Sequence, residues 1–473
     1  MFNSSVVSIG ELAINKNIRL IPPLKLPESN YEYISLAKVI KKCEAGSRPK
    51  GGINVSDYGQ VLSIGGEQIG KEGSLKLKKT PYVSYEYYES VNKGKVFDKD
   101  ILLCKDGALT GKTCIVNIID IKSEKAMVNE HVYIIQGNQQ IRQQFLFYYT
   151  RSTLFQNQVK DLAFRKKGQP GLNFGHINQI KIPDIPIERQ DEILSKCGAI
   201  ESKIQELKKK KINVDSIINN AFNNYLSLNI NEALELDKNK SFSISTSSIA
   251  YKNGGLRTSY RWNKLYEIQQ ILYTNIKEIH KLGAFSLNTK NGWSPNCNEG
   301  ATKNCVLGID SINDDGLMSF ENIKYTDETR ANIESFYVKK GDFFVSRGNT
   351  TDLVAMASII YEDLEKNYIF PDLMIRLEFD KNSINSEYLA FVFNSIIGRL
   401  YFKYVSKGKN QTMVKISSNE LHNFLLPIPS YREQCELVMS IRNEINHQKE
   451  IDLKIELLRQ QIDHIILKEM IRV

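Results

Sequence analysis

The 473-residue chain lacks most of the patterns that announce a reaction. It holds seven cysteines, Cys43, Cys104, Cys114, Cys197, Cys297, Cys305 and Cys435, and no CxxC pair. An odd number at these spacings fits neither a disulfide scaffold nor a zinc knuckle. No apolar run approaches the roughly 20 residues of a membrane span; Val354–Tyr361 is about the longest. No secretory signal pattern opens the sequence. These absences point to a reducing cytoplasm and away from a membrane. Six histidines, His131, His176, His280, His422, His447 and His464, are scattered without metal-ligand spacing. No G-x-S-x-G elbow occurs. The polar-Pro-Pro motif of amino-methyltransferases is missing too, because Ile21-Pro22-Pro23-Leu24 has no side chain to hold the amino group. No Asp…Glu-x-Lys nuclease cluster stands out. The want of a catalytic constellation points to a binding role.

What the chain does have is ample apolar material, 41% hydrophobic and 10% aromatic, so packed cores form and wholesale disorder is excluded. Its length suits two to four domains. The net charge of +9 is compatible with a nucleic-acid partner. An internal repeat organises it. Val61-Leu62-Ser63-Ile64 matches Val306-Leu307-Gly308-Ile309, Asp100–Leu103 matches Asp342–Val345, and Pro183–Gln190 matches Pro427–Gln434. All three share one order and an offset of about 244 residues, as two copies of one unit would.

Each copy opens with short β-branched and aromatic runs broken by glycines, read as strands. These are Gln60–Ile64, Ile101–Cys104, Cys114–Ile119 and His131–Ile135, then Val306–Ile309, Phe343–Val345, Met356–Tyr361 and Met374–Phe379. An amphipathic helix follows, Ile141–Leu162 or Ser386–Val405, then a Gly/Lys/Gln loop, a Pro-rich exit and a long helix. In copy one Ile193, Cys197, Ile200, Ile204, Leu207, Lys211, Val214, Ile218, Ala221, Tyr225 and Leu228 step by four and three. In copy two Leu437, Ile441, Glu444, Gln448, Ile451, Ile455, Leu458, Ile462 and Ile465 do the same, after a capping box at Ser430–Glu433. A helix of about 35–40 residues is about 55 Å long and cannot bury its stripe on one small domain. The two are expected to pair antiparallel under a pseudo-twofold. The fold class is α+β: two mixed α/β globular domains in tandem, each followed by a long helix, the helices forming an antiparallel coiled coil. The expected boundaries are an arm at 1–30, a domain at 31–186, long helix one at 187–228, a linker at 229–255, a second domain at 256–429 and long helix two at 430–473.

Asp106-Gly107-Ala108-Leu109-Thr110-Gly111-Lys112-Thr113 has the outline of a phosphate-binding P-loop, but Asp106 stands where the first glycine belongs. The segment also continues as a strand, whereas a P-loop must open a helix. A hairpin turn accounts for its glycines. Other loops suit nucleic acid better. Copy one offers Ser47, Arg48 and Lys50, then Arg165, Lys166, Lys167 and Gln169. Copy two offers Asn291 and Trp293, then Arg347, Asn349 and Thr350, then Lys407, Lys409, Asn410 and Gln411. Arg and Lys serve phosphates and guanine, Asn and Gln serve adenine, and glycine lets backbone come close. One such loop is ordinarily a polar turn; its recurrence in both copies favours DNA. The run Lys208–Lys211 lies on the heptad helix and reads as a solvated face.

With this order of motifs the chain resembles the specificity (S) subunit of type I restriction-modification systems over nearly its whole length. The features that carry the resemblance occur twice: a Gly-rich opening loop, an aspartate before an apolar strand and a Gly turn (Asp100…Gly107, Asp342…Gly348), a basic Gly/Gln loop, and a Pro-rich exit into a glutamine-led helix (Pro183, Pro186, Gln190; Pro427, Pro429, Gln434). The exit lacks the family's adjacent prolines, and copy one has Arg189-Gln190 where Glu-Gln is usual. The resemblance implies two target recognition domains, each reading half of a bipartite DNA site, and paired helices that act as ruler and docking surface. It implies double-stranded DNA, two methyltransferase (M) subunits and restriction (R) subunits as partners in phage defence. S-adenosylmethionine and ATP would be bound by those partners; the subunit itself is non-catalytic and holds no cofactor or metal. The alternatives are a specificity subunit of a methylation-only or other DNA-modification system, and a coiled-coil scaffold that binds proteins.

Overall fold

In the computed structural model the described residues are 24–49, 60–77, 80–121, 123, 125–163, 169–239, 259–276, 278–298, 300, 302, 304–410 and 413–471, with the side chains of 409 and 410 outside them. The chain divides into two compact units: residues 1–209 with 453–473, and residues 210–452.

Unit 1 contains β1 (Tyr33–Ser35), β2 (Ile40–Ala45), β3 (Val61–Ile64), β4 (Tyr82–Val83), β5 (Ile101–Cys104), β6 (Thr113–Ile115), β7 (Lys125–Val128), β8 (Val132–Gly137) and β9 (Lys181–Pro183). They form a four-stranded sheet β2-β8-β5-β6, a three-stranded sheet β4-β3-β7 and the pair β1-β9. β3 runs parallel to β7 and antiparallel to β4. All four residues of β5 are buried, as expected of a continuous apolar run in a central strand. Leu102 and Cys104 pack with Leu62, Ile64 and Val128 between the two sheets.

Unit 2 repeats this plan. Its strands are β10 (Ile279–Lys281), β11 (Asn288–Asn291), β12 (Asn304–Val306), β13 (Lys324–Thr326), β14 (Phe343–Ser346), β15 (Gly348–Asn349), β16 (Ala357–Ile359), β17 (Asn367–Ile369), β18 (Met374–Glu378), β19 (Lys407–Asn410), β20 (Met413–Lys415) and β21 (Leu425–Pro427). The sheets are β11-β18-β14-β16, β13-β12-β17 and the pair β10-β21, with β12 parallel to β17. A further sheet is β15-β20-β19. The side-chain period of two is visible in β14. Phe344 packs with Leu307, Phe370 and Met374 between the sheets, and Phe343 and Val345 face the helical side.

The aspartate ahead of each central strand closes the entering turn. Asp100 Oδ2 accepts the Phe97 N–H at 2.8 Å, and Asp342 Oδ2 accepts that of Lys339 at 2.9 Å. The exit glutamines also have one job in both units. Gln190 Oε1 accepts the Arg142 N–H, and its Nε2 donates to Gln140 O and Ile185 O. Gln434 does the same with Asn385 N–H, Ser383 O and Pro429 O. Each ties the start of an exit helix to the entry of the amphipathic helix, so three backbone groups depend on one side chain.

Three expectations need correction. The amphipathic helices are each two helices, Gln143–Arg151 with Thr153–Ala163, and Ser386–Asn394 with Ile396–Val405. The serine between them restarts the helix by accepting a backbone N–H, Phe155 to Ser152 Oγ and Ile397 to Ser395 Oγ. The expected linker contains a helix, Ile230–Lys238, with Ala233 buried; the polar stretch 241–248 lies outside the described residues.

Nor is long helix one continuous. It ends at Lys209 and resumes as Val214–Leu226, with the Asn213 side chain accepting the Ser216 N–H at 2.7 Å as an N-cap. Lys211 is therefore no seam residue; its ammonium pairs with Asp452 at 2.5 Å. The break frees the Ile212 N–H, which donates to Gln448 Oε1 at 2.9 Å. The polar seam position on the C-terminal helix thus has a partner within unit 2. Gln448→Ala strands that N–H and should cost about 1–3 kcal/mol, measured by urea unfolding; an unchanged midpoint would show the break to be solvated instead.

The C-terminal helix Tyr431–Met470 is unbroken and begins with the expected capping box, the Ser430 N–H donating to Glu433 Oε2 at 2.9 Å. Its residues up to 452 belong to unit 2 and the rest to unit 1. Within unit 1 it runs antiparallel to the helix Ile187–Lys209, whose first turns meet its last. Lys196 pairs with Glu469 at 3.0 Å, and Arg189 joins the same carboxylate. Ile193, Cys197 and Ile204 on one helix and Ile455, Ile462 and Ile466 on the other are buried.

Candidate nucleic-acid interface

In each unit the same three loops and one returning segment converge. The first is the opening loop after β2 or β11. Gly46 is obligatory there, since a Cβ would lie 1.7 Å from Val128 O. Gly292 is its counterpart, 2.0 Å from Pro371 O. Both let the opening loop run flush against the turn that precedes β8 or β18.

In unit 1 this brings Arg48 to Glu130. The guanidinium Nε donates to both carboxylate oxygens, at 2.6 and 2.9 Å, and Nη2 adds a third bond. Burial works against the Glu130 carboxylate, but Arg48, the Glu130 backbone N–H and His131 together hold its pKa below the ordinary value. His131 bridges onward, its Nδ1 3.2 Å from Asp106 Oδ2, and Lys105 Nζ meets the same Asp106 oxygen at 2.6 Å. Lys105 and Asp106 open the turn after β5. The returning segment 169–172 seals that turn: Gly107 N–H donates to Pro170 O and Leu172 N–H to Lys105 O. Gln169 Nε2 lies 3.2 Å from where a Gly107 side chain would begin. Ser47 is held back from this group by a 2.7 Å bond to the Tyr87 hydroxyl.

In unit 2 Ser294 Oγ donates to Asp372 Oδ1 at 2.6 Å, and the Asp372 N–H donates back at 3.1 Å. Arg347 opens the turn after β14. Its N–H donates to Leu373 O at 2.7 Å and its Nη1 to Asp372 O at 3.4 Å. The returning segment is here a full hairpin, β19-β20, with Gly348 paired to Lys415 and Asn349 to Val414. Trp293 adjoins this group through its N–H to Phe370 O, and the Arg330 guanidinium stacks over its indole at 5.3 Å. Asn291 is the last residue of β11, opposite Ile375. Lys407 Nζ is tied to the buried Glu420 at 2.8 Å. Asn349 Oδ1 accepts the Thr350 N–H, and the Thr350 hydroxyl is buried without a partner.

The structure thus gathers Arg48 and Gln169 in unit 1, and Trp293, Arg347 and Asn349 in unit 2. Lys50, Arg165, Lys166, Lys167 and Gln411 lie outside the described residues, as do the side chains of Lys409 and Asn410. Sequence reasoning missed Lys105, Glu130, His131 and Asp106, which orient Arg48, and Arg330, Asp372, Met413 and Lys415 in unit 2. Met413 and Lys415 had a legible signal, because Met413-Val414-Lys415 alternates exposed, buried, exposed. Glu130 had none, standing 82 residues from the arginine it holds.

Among the described residues no helix is long and apolar enough to cross a membrane, and no His/Cys/Asp/Glu group is arranged to hold a metal ion. A family model, the type I restriction modification DNA specificity domain, matches residues 28–216. No curated protein matches the chain. Among solved structures, a chain from work on complex assembly and conformational transition of the type I R-M system is 15% identical, with 94% of this chain and 98% of that one covered and a TM-score of 0.41. The type I restriction-modification S subunit from M. genitalium is 13% identical, with coverage of 96% and 100% and a TM-score of 0.38. The HsdS subunit from Thermoanaerobacter tengcongensis is 15% identical, with coverage of 95% and 98% and a TM-score of 0.31. Through residues 28–216 the chain resembles the DNA specificity subunits of type I restriction-modification systems.

Proposed function

We propose that the chain is the non-catalytic subunit that sets DNA sequence specificity in a type I restriction-modification complex, acting in the cytoplasm. Each unit reads one half of a split duplex target, and the long helices dock two methyltransferase subunits and, through them, restriction subunits. One observation carries this reading. The two units repeat strand order, caps and glutamine ties, yet differ in the side chains at the converged loops. Arg48, Glu130 and His131 stand in one, with Ser294, Asp372 and Arg347 in the other. A shared scaffold with unlike tips is what an asymmetric, bipartite site requires. Ser47, Arg48, Lys50, Arg165, Lys166, Lys167 and Gln169 serve one half-site. Asn291, Trp293, Arg347, Asn349, Thr350, Lys407, Lys409, Asn410 and Gln411 serve the other. The target recognition domains run over 31–186 and 256–429. Sequencing host DNA for methylated bases with and without the gene tests the reading. Loss of one split, asymmetric motif on deletion is expected; an unchanged methylation map in a host that expresses the complex would overturn it.

A further inference from the structure

The two units can be matched position by position through their hydrogen bonds. Cys104 N–H donates to Lys112 O, and Gly111 N–H to Cys104 O. In unit 2 Ser346 N–H donates to Met356 O, and Ala355 N–H to Ser346 O. Lys112 therefore corresponds to Met356, and Thr113 to Ala357. Counting back from the serines that divide the helices, Arg151 corresponds to Asn394. The bridge Ile69–Leu75 matches Ile312–Met318, which sets Lys71 against Asp314.

In unit 1 these four positions line one cavity of about 260 Å³, together with the turn Ala108–Gly111 and Gln156. No acidic side chain is among its described lining residues. Neither Lys71 nor Lys112 makes an ion pair among the described residues. Arg151 spends one N–H on Lys71 O at 3.2 Å. Thr113 is 3% exposed, and its hydroxyl has no partner among the described residues. A buried hydroxyl beside three cations is costly unless something accepts from it. In unit 2 the same place is filled: Arg399, which corresponds to Gln156, donates to Asp352 O at 3.2 Å and Val354 O at 2.8 Å, and Asp314 stands where unit 1 has Lys71. Asn394 Oδ1 accepts the Ala357 N–H at 2.8 Å, and Nδ2 donates to Asp314 O at 3.1 Å and Ala357 O at 2.9 Å. Unit 2 thus has one cation there, spent on backbone carbonyls and accompanied by an acidic residue, against three cations lining the cavity in unit 1, so the cationic excess of unit 1 is an addition to the scaffold.

We propose that this cavity binds a phosphoryl group, held by Lys71, Lys112, Arg151 and the Thr113 hydroxyl. Clustered cations with a hydroxyl donor suit a tetrahedral oxyanion. The segment Asp106–Thr113 that wraps it continues as the strand Thr113–Ile115, so the anion is held by side chains and not by a helix N-terminus. The volume falls below the roughly 300–1,000 Å³ of drug-sized pockets, which favours a phosphoryl group over a whole nucleotide. The group has two chemical sources, a free phosphate or a phosphate of the DNA backbone. The assignment does not rest on the DNA reading and would stand for a chain without duplex affinity.

Calorimetric titration of the full chain with pyrophosphate at fixed ionic strength tests it. The wild type is expected to bind one anion per chain. The double exchange Lys112→Met with Thr113→Ala, which installs side chains the same fold already accommodates in unit 2, is expected to weaken binding by at least about tenfold. No saturable binding, or undiminished affinity in the exchanged chain with native circular dichroism, overturns the proposal. The source follows from repeating the titration on duplex-saturated chain: competition assigns a backbone phosphate, and undisturbed binding assigns a free one.

Discussion

Phe393→Ala is expected to destabilise unit 2 by about 3–5 kcal/mol, the range for emptying an aromatic core position. The Phe393 ring is fully buried and lies 5.2 Å from Phe402 in a stacked pair, 5.0 Å from Phe424 and 5.8 Å from Phe343. Three neighbours lose contacts together, and rings held by their own strands and helices collapse poorly into the void. The matching position in unit 1 is Thr150, whose hydroxyl bonds locally to Phe147 O at 2.7 Å. Thr150→Ala should therefore cost no more than about 1 kcal/mol. The two tryptophans, Trp262 and Trp293, both belong to unit 2. Tryptophan fluorescence in urea thus reports that unit alone. A midpoint that stays put for Phe393→Ala would show that the aromatic cluster is not what holds unit 2 together.

The second large effect is on DNA. Removing Arg347 and Lys415 together should lower the affinity for the duplex target and reduce the slope of log affinity against log salt by about 2, since each neutralised phosphate contributes roughly 0.9. Arg347 lies at the turn after β14, and Lys415 is exposed on β20 opposite Gly348, so both project from the converged loops of unit 2. Lys238→Ala is the control, because that lysine is exposed on a helix and paired with Glu235. Anisotropy of labelled duplex against salt, with the methyltransferase subunits present, measures both quantities. Equal slopes for the double variant and the control would remove this hairpin from the DNA interface.

The repeat was legible because it rests on local signals: a wholly apolar strand such as Ile101–Cys104, a turn-closing aspartate, and prolines before a helix. What escaped the sequence depends on distant partners. Gln190 and Gln434 read as helix openers, and nothing local shows that each satisfies two backbone groups some 50 residues away. Lys211 occupies a heptad position, so periodicity carried the helix through it. The stop was signalled only by Asn213, an N-cap residue placed where a helix could equally have continued. Of the site, composition found the loops, and the convergence of those loops came from sheet topology. The Arg48–Glu130 bond belongs to that topology: it turns an apparent free arm into a fixed fork.

The long C-terminal helix gives the first unit a dependence on time. Its residues 453–470 complete unit 1, although the ribosome makes them after the whole of unit 2. Until they emerge, Ile193, Cys197 and Ile204 have no opposite helix, and Arg189 and Lys196 have no Glu469. Unit 2 has by then been synthesised whole. Unit 1 is therefore begun before unit 2 and completed after it, and a chain stopped before Leu453 releases unit 1 incomplete. No product truncated before Leu453 carries a finished unit 1 to act alone.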